Sequence, residues 1–308
     1  MGIQISAIIC TLNRHGYLRM ALQSLVDQTL ARERYEILVV DNGSTDGTER
    51  MVRTEFGYMA NLQYMREPIL GLSHARNTGW LRAAGTFVAY LDDDAVACPR
   101  WLEKILDTFQ MSSATLGCVG GKIDLTWEAP SPEWLAAELT SYLGRIDWSD
   151  HPCVLSETQW LGGGNIAFPR HLLMEIGGFQ SRLGRVGTRL LSSEEILVRQ
   201  QLEGRGYGCY YHPEIRVWHH VPASRLTKAW LRKRCYWQGV SNALLEKYRD
   251  TPSSRTWFIS AGREITQLLT SPRRLIDLVR PAQEPSAFLR QCGEISRVGY
   301  VAGLLGLT

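Results

Sequence analysis

Four short strand-like runs alternate with helical patterns over the first hundred residues, and this alternation most limits the fold. Ile3 to Cys10 is a β-branched apolar run, and residues 16 to 30 then place Leu18, Ala21, Leu22 and Leu25 at helical spacing. Tyr35 to Val40 is a second buried strand that stops at DNGSTDGT, where Thr45 or Asp46 is expected to cap a helix running through Arg53. LQYMRE is a third strand, residues 72 to 83 a helix, and TFVAYLDDDA a strand that runs into acid. Strand and helix in this order imply right-handed crossovers and a largely parallel sheet. The expected fold class is α/β, with a Rossmann-like, mostly parallel central sheet and helices on both faces. Ligands of such sheets bind beyond the carboxyl ends of the strands. Three polar clusters sit at such ends: Thr11-Leu12-Asn13-Arg14, Asp41-Asn42-Gly43-Ser44 and Asp92-Asp93-Asp94.

The rest of the chain is less regular. Residues 119 to 165 mix Gly, Pro and Trp, and are expected to be loops with a short helix at 132 to 143. A helix from about 171, a Gly-rich loop and a helix beginning at Ser192 follow. YGCYYHPEIRVWHH is a strand-like return, and residues 226 to 250 form a helix rich in Arg, Trp and Tyr. The tail from 251 is amphipathic helix broken at Pro272 and Pro281. The simplest division is a catalytic domain over 1–225 and a helical C-terminal extension over 226–308. The net charge of +3 is too small to argue for nucleic acid, and suits an anionic small ligand or an anionic membrane surface. The seven cysteines are scattered without C-x-x-C spacing, which points to a reducing compartment with neither zinc cluster nor disulfide frame. The opening residues lack the basic stretch of a secretory signal, and no run reaches the ~18 to 20 apolar residues that span a bilayer. The expected location is cytoplasmic, with peripheral contact to the inner face of the cytoplasmic membrane or a homodimer as two uses for the C-terminal helices.

Asp92, Asp93 and Asp94 are the strongest single feature. Adjacent carboxylates repel one another, and strand alternation would put Asp92 and Asp94 on one face, suited to a hard divalent cation that also holds a diphosphate. A solvated acidic turn would leave the same residues. Asp41 ends a buried strand, where it can accept hydrogen bonds from a base edge or ribose, although turn chemistry alone explains its neighbours. Arg76 in GLSHARNTG can pair with a diphosphate or be a solvated helical cation. Glu194 and Glu195 start a helix, as dipole complements or as a general base. His219 and His220 end the last strand-like segment, where one imidazole can complete a metal site or simply be packed. Gly163, Gly164 and Asn165 allow close backbone approach to a sugar, or form a plain turn.

In their order and spacing these segments resemble the family 2 glycosyltransferases, which have the glycosyltransferase A fold. The match is Thr11-Asn13-Arg14, VVDNGSTD, GLSHARNTG, YLDDDA, GGNIAF, GGF, Ser-Glu-Glu and VWHHV, over about residues 3–225. The resemblance implies that Asp41 binds a uracil-like base and that Thr11, Asn13, Arg14, Arg76 and Asp93 line the nucleotide pocket. It further implies that Asp92 lies near ribose and metal, that Asp94 is the direct metal ligand, and that His219 meets the metal or diphosphate. Gly163, Gly164 and Asn165 then face the donor or acceptor sugar. Glu195 takes the place of the catalytic base, with Glu194 as its rival. Two departures stand out: Ser-Glu-Glu replaces the commoner Gly-Glu-Asp, and Ala95 follows the triplet where many relatives carry another acid. The implied reaction is inverting transfer from a nucleotide sugar, UDP-linked in the first instance, to a saccharide or lipid-linked acceptor in polysaccharide, glycolipid or other glycoconjugate biosynthesis. Mn²⁺ or Mg²⁺ neutralises the departing diphosphate. A sugar-nucleotide pyrophosphorylase would carry a basic, Gly-rich loop after the first strand, where this chain has TLNRHGYL. A binding module without transfer activity would have little use for Asp92, Asp94, Glu195 and His219 together.

Overall fold

The computed structural model describes residues 2–111, 115–249 and 254–307. The chain divides into two compact units: Met1–Thr126, Gly144–Arg182 and Glu194–His220 form the first, and Trp127–Leu143, Leu183–Ser193 and Val221–Thr308 the second. The first begins as the alternation requires. Strand β1 (Ile5–Thr11), helix α1 (His15–Val26), β2 (Tyr35–Asp41), α2 (Thr48–Glu55), β3 (Leu62–Arg66), α3 (Leu72–Arg82) and β4 (Phe87–Leu91) follow in order. Then come β5 (Ala95–Ala97), α4 (Trp101–Met111), β6 (Leu116–Trp127), β7 (Cys153–Val154), β8 (Asn165–Pro169), α5 (Arg170–Ile176), α6 (Glu194–Glu203) and β9 (Gly208–Val221). The near-continuous apolar runs of β1 and β2 are buried along almost their whole length, as strands of a parallel sheet covered on both faces must be.

The strand order is β3-β2-β1-β4-β8-β6-β9-β5, with β7 paired to β9. Neighbours among β3, β2, β1 and β4 pair in parallel, whereas β8 lies antiparallel to both β4 and β6, and β9 antiparallel to β5. The sheet is therefore mixed, with its parallel half confined to the first hundred residues. Residues 119 to 127, expected as loop, belong to the long strand β6. Gly120 and Gly121 misled that expectation. A side chain at Gly121 would strike the carbonyls of His212 and Ile215, so the glycines admit neighbouring backbone rather than mark a turn. The short helix expected at 132–143 is a 3₁₀ segment at Ala137–Leu143. Helix α2 begins at Thr48 with Gly47 as its cap, one or two residues later than a cap at Thr45 or Asp46 implies, and Asp46 accepts from the Thr48 N–H at 3.0 Å.

The second unit contains helices α7 (Lys228–Arg249), α8 (Ser254–Leu269), α9 (Pro272–Val279) and α10 (Pro285–Leu305). Residues 250–253, where the tail is expected to begin, lie outside the described residues. Pro272 and Pro285 occupy the first turns of α9 and α10, where a missing N–H costs nothing, and Pro281 lies in the break between them. Helices α7 and α10 meet backbone to backbone: Gly239 packs against Ser296 and Tyr300, Gly299 against Tyr236, and Gly303 against Val240 and Ala243. The Lys247 ammonium donates to the Gly303 and Leu304 carbonyls, both at 2.9 Å, placing a cation at the negative end of α10.

Candidate active site

The parallel strands deliver their polar ends together. Thr11 is the register partner of Asp41 across β1 and β2, and Asp41 that of Arg66 across β2 and β3. Asp41 is buried; it accepts from the Ser44 N–H at 2.6 Å and the Tyr64 hydroxyl at 2.5 Å. Nothing in LQYMRE distinguishes Tyr64 as this partner. Asn13 sits in the left-handed region at φ 55°, a conformation Asn tolerates. Its side-chain carbonyl accepts from the Thr45 N–H at 2.7 Å and the Asp46 N–H at 3.2 Å. Asn13 thus pins the turn that follows β2.

The acidic triplet lies past the end of β4, in a turn closed by the Ala95 N–H donating to the Asp92 carbonyl at 3.1 Å. Strand alternation therefore does not group Asp92 with Asp94; the turn does. Asp93 accepts from the Thr11 hydroxyl at 2.8 Å, and Arg14 reaches Asp93 at 3.0 Å and Asp94 at 2.7 Å. Burial outweighs Arg14 and pushes the Asp93 carboxyl up to about 6. Thr11 and Arg14 thus brace the acidic turn through Asp93 and Asp94. Pairing of β5 with β9 sets Ala95 opposite His219. His219 Nε2 comes within 3.1 Å of Asp94 Oδ1, and Asp92, Asp94 and His219 bring three ligand atoms within 4.8 Å of one another. His219 is the histidine within this group, whereas the His220 ring lies beside Tyr17.

Arg76 is carried on α3, which Gly79 lets close against Ile8 and Val40. Its guanidinium is buried, donates to Glu194 at 2.5 Å and lies 3.7 Å from Asp92. Arg76 thus pairs with Glu194 and lies beside Asp92. Gly163 and Gly164 take the space beside Arg76 and Asp92 respectively, where a side chain would collide with both. Asn165 is fully buried; its amide donates to the Lys122 and Ile215 carbonyls and accepts from the Trp101 indole at 2.8 Å. This segment packs against the acidic turn and ties β8 to β6 and β9.

Glu194 and Glu195 open α6 with contrasting surroundings. Glu194 is buried and held by Arg76 through one oxygen, while its other oxygen has no hydrogen-bond partner. Glu195 is half-buried, and burial first, then the adjacent Glu194 carboxylate, push its carboxyl up to about 8. Ser193, just before them, is held at φ 76°, the second left-handed non-glycine among the described residues. The local sequence gave no sign of that strain.

The curled α/β sheet, with two carboxylates and an imidazole gathered near the buried Glu194 and the half-buried Glu195, has the glycosyltransferase A fold. Comparison with known proteins agrees. The family model described as glycosyl transferase family 2 matches residues 6–155. A glucosyl-dolichyl phosphate glucuronosyltransferase of Haloferax volcanii is 28% identical over 250 residues, which is 79% of this chain and 78% of that one. The glycosyltransferase AglE of the same organism is 35% identical over 124 residues, 40% of each chain. Among solved structures, a mannosyltransferase from Pyrobaculum calidifontis in complex with GDP-Man and Mn²⁺ superposes with a TM-score of 0.62 at 18% identity, covering 100% of this chain and 89% of that one. TarS residues 1–349 of S. aureus, in complex with UDP-GlcNAc, gives a TM-score of 0.58 at 15% identity, covering 99% and 91%. These similarities make the chain a glycosyltransferase, with its likeness to glycosyl transferase family 2 lying in residues 6–155.

Proposed function

We propose that the chain catalyses inverting, metal-dependent transfer of a sugar from a nucleoside diphosphate donor to an acceptor hydroxyl. The convergence of Asp92, Asp94 and His219 carries this reading. Two carboxylates and an imidazole fit a divalent ion, and the nitrogen ligand favours Mn²⁺ over the more strictly oxygen-seeking Mg²⁺. When bound, the ion supplies charge neutralisation on the departing nucleoside diphosphate. Arg14 holds Asp94 and Asp93 from outside the triad, so the ligands are oriented before any ion arrives. The Glu194–Arg76 pair forms a rigid wall, and Glu195 takes the proton from the acceptor hydroxyl as that oxygen attacks the anomeric carbon. A carboxyl with a raised proton affinity suits that task at neutral pH. Asp41, with lone pairs left over from Ser44 and Tyr64, accepts from an N–H of the base.

The donor complexes of the superposed structures contain GDP-Man and UDP-GlcNAc, which supports a nucleotide sugar here. The relative named as a glucosyl-dolichyl phosphate glucuronosyltransferase supports a lipid-linked saccharide as acceptor. The test is a thermal-shift screen of UDP-, GDP- and dTDP-sugars with and without Mn²⁺. Ligands of the folded state stabilise it by mass action, so one donor class is expected to raise Tm only when metal is present. A donor that stabilises the chain equally in EDTA would overturn the metal assignment.

A further inference from the structure

Helices α8 and α9 leave an apolar face uncovered. Phe258, Ile265 and Leu269 follow one another at spacings of seven and four along α8, so they share one face. Ala261, Glu264 and Leu268, a quarter-turn away, point inward. Phe258 is 65% exposed and Leu269 63%, which a helix packed on that side would not permit. On α9, Ile276 and Val279 form a second exposed stripe, with Val279 at 77%. The charge on these helices is one-sided. Arg263, Arg273 and Arg280 are exposed, whereas the acids Glu264 and Asp277 are half-buried and engaged by Arg297 at 2.9 Å and Arg290 at 3.4 Å. Every exposed charge over residues 256–280 is therefore positive. Among the described residues no helix is long and apolar enough to cross a membrane.

We propose that this face of the second unit docks on the surface of an anionic lipid bilayer. Phe258, Leu269, Ile276 and Val279 enter the boundary between headgroups and acyl chains, and Arg263, Arg273 and Arg280 pair with lipid phosphates. A second copy of the chain would fit less well. Two-fold pairing through this face would bring like-charged arginine rims together, with their carboxylate partners already taken. The surface is independent of the donor assignment, and deepens the functional reading by placing the enzyme where a lipid-linked acceptor resides.

Flotation of the full chain with vesicles of phosphatidylglycerol and phosphatidylcholine, or of phosphatidylcholine alone, tests the proposal. Co-flotation is expected with the anionic vesicles only, and about 0.5 M salt should release much of the protein by screening. A triple Phe258→Ser, Leu269→Ser, Val279→Ser variant should bind anionic vesicles at least about tenfold more weakly. Arg263→Gln, Arg273→Gln, Arg280→Gln should erase the preference for anionic lipid. Circular dichroism and metal-dependent donor hydrolysis should be unchanged in both, so a membrane defect is separable from a failed fold or a wrong catalytic assignment. Absence of the full chain from both vesicle floats would overturn the proposal. So would equal flotation of the serine variant, or a dimer in sedimentation equilibrium that those three substitutions dissociate.

Discussion

Glu194 and Glu195 are chemically identical and adjacent, yet their surroundings separate their expected phenotypes. Glu194→Gln leaves the Arg76 guanidinium buried without its carboxylate, so the principal loss is stability, of order 3–5 kcal/mol, read as a fall in Tm. Glu195→Gln keeps donor binding and lowers kcat by about 10²- to 10⁴-fold, the usual contribution of a positioned base. A Glu195→Gln enzyme with normal turnover would transfer the role to its neighbour. The wild-type base must be ionised to accept a proton, so turnover should climb as pH rises through about 8 and fall away on the acid side. Linkage gives a second observable. The folded chain retains this proton between about 4.5 and about 8, where the unfolded chain has released it, so its contribution to stability is lost as pH rises across that window. Chemical denaturation at several pH values should show a shallower slope in Glu195→Gln. The pair itself was legible in the sequence as Ser-Glu-Glu at a helix start. Which acid pairs with Arg76 was not, because Arg76 meets it across more than a hundred intervening residues.

At the scale of elements, the strand ends were readable and their mutual arrangement was only half so. Apolar runs followed by polar clusters located Thr11, Asp41 and the acidic triplet correctly, because burial on both faces of a parallel strand writes itself into composition. The antiparallel half left a weaker trace. Strand β6 is interrupted by glycines, β8 is a five-residue run directly after three glycines, and the pairing of β5 with β9 has no local signature. Asp92 and Asp94 were thus grouped on the expectation of a strand, whereas a turn and a distant register bring them to His219. The α7–α10 crossing makes a prediction of its own. Gly299 abuts the backbone of Tyr236, so even a methyl group there must push the two helices apart. Gly299→Ala should cost about 1–3 kcal/mol by overpacking, despite the higher helix propensity of alanine. Gly293, in the same helix with open space around it, should tolerate or gain from the same change. Urea denaturation of the two variants makes the comparison, and an equal effect at both sites would refute the close crossing.

For the molecule as a whole, the divalent ion is expected to act on stability as well as on chemistry. Free Mn²⁺ at about a hundred times its Kd should add about 2.7 kcal/mol to the folded state, reversed by EDTA. Asp94→Asn removes one ligand charge while keeping a side chain for Arg14, and should abolish both the Mn²⁺-induced Tm rise and turnover. A full Mn²⁺ response in that variant would remove Asp94 from the ligand set. The pairing of Ala95 with His219 has a further consequence, for the chain while it is being made. Asp92 and Asp94 leave the ribosome early, whereas the imidazole that completes their set arrives only after β9 has been synthesised. Contacts this distant in sequence are costly to form and tend to slow folding. A nascent chain halted before residue 208 would display the acidic turn without its histidine, so tight capture of the cation should mark the end of folding and not its beginning.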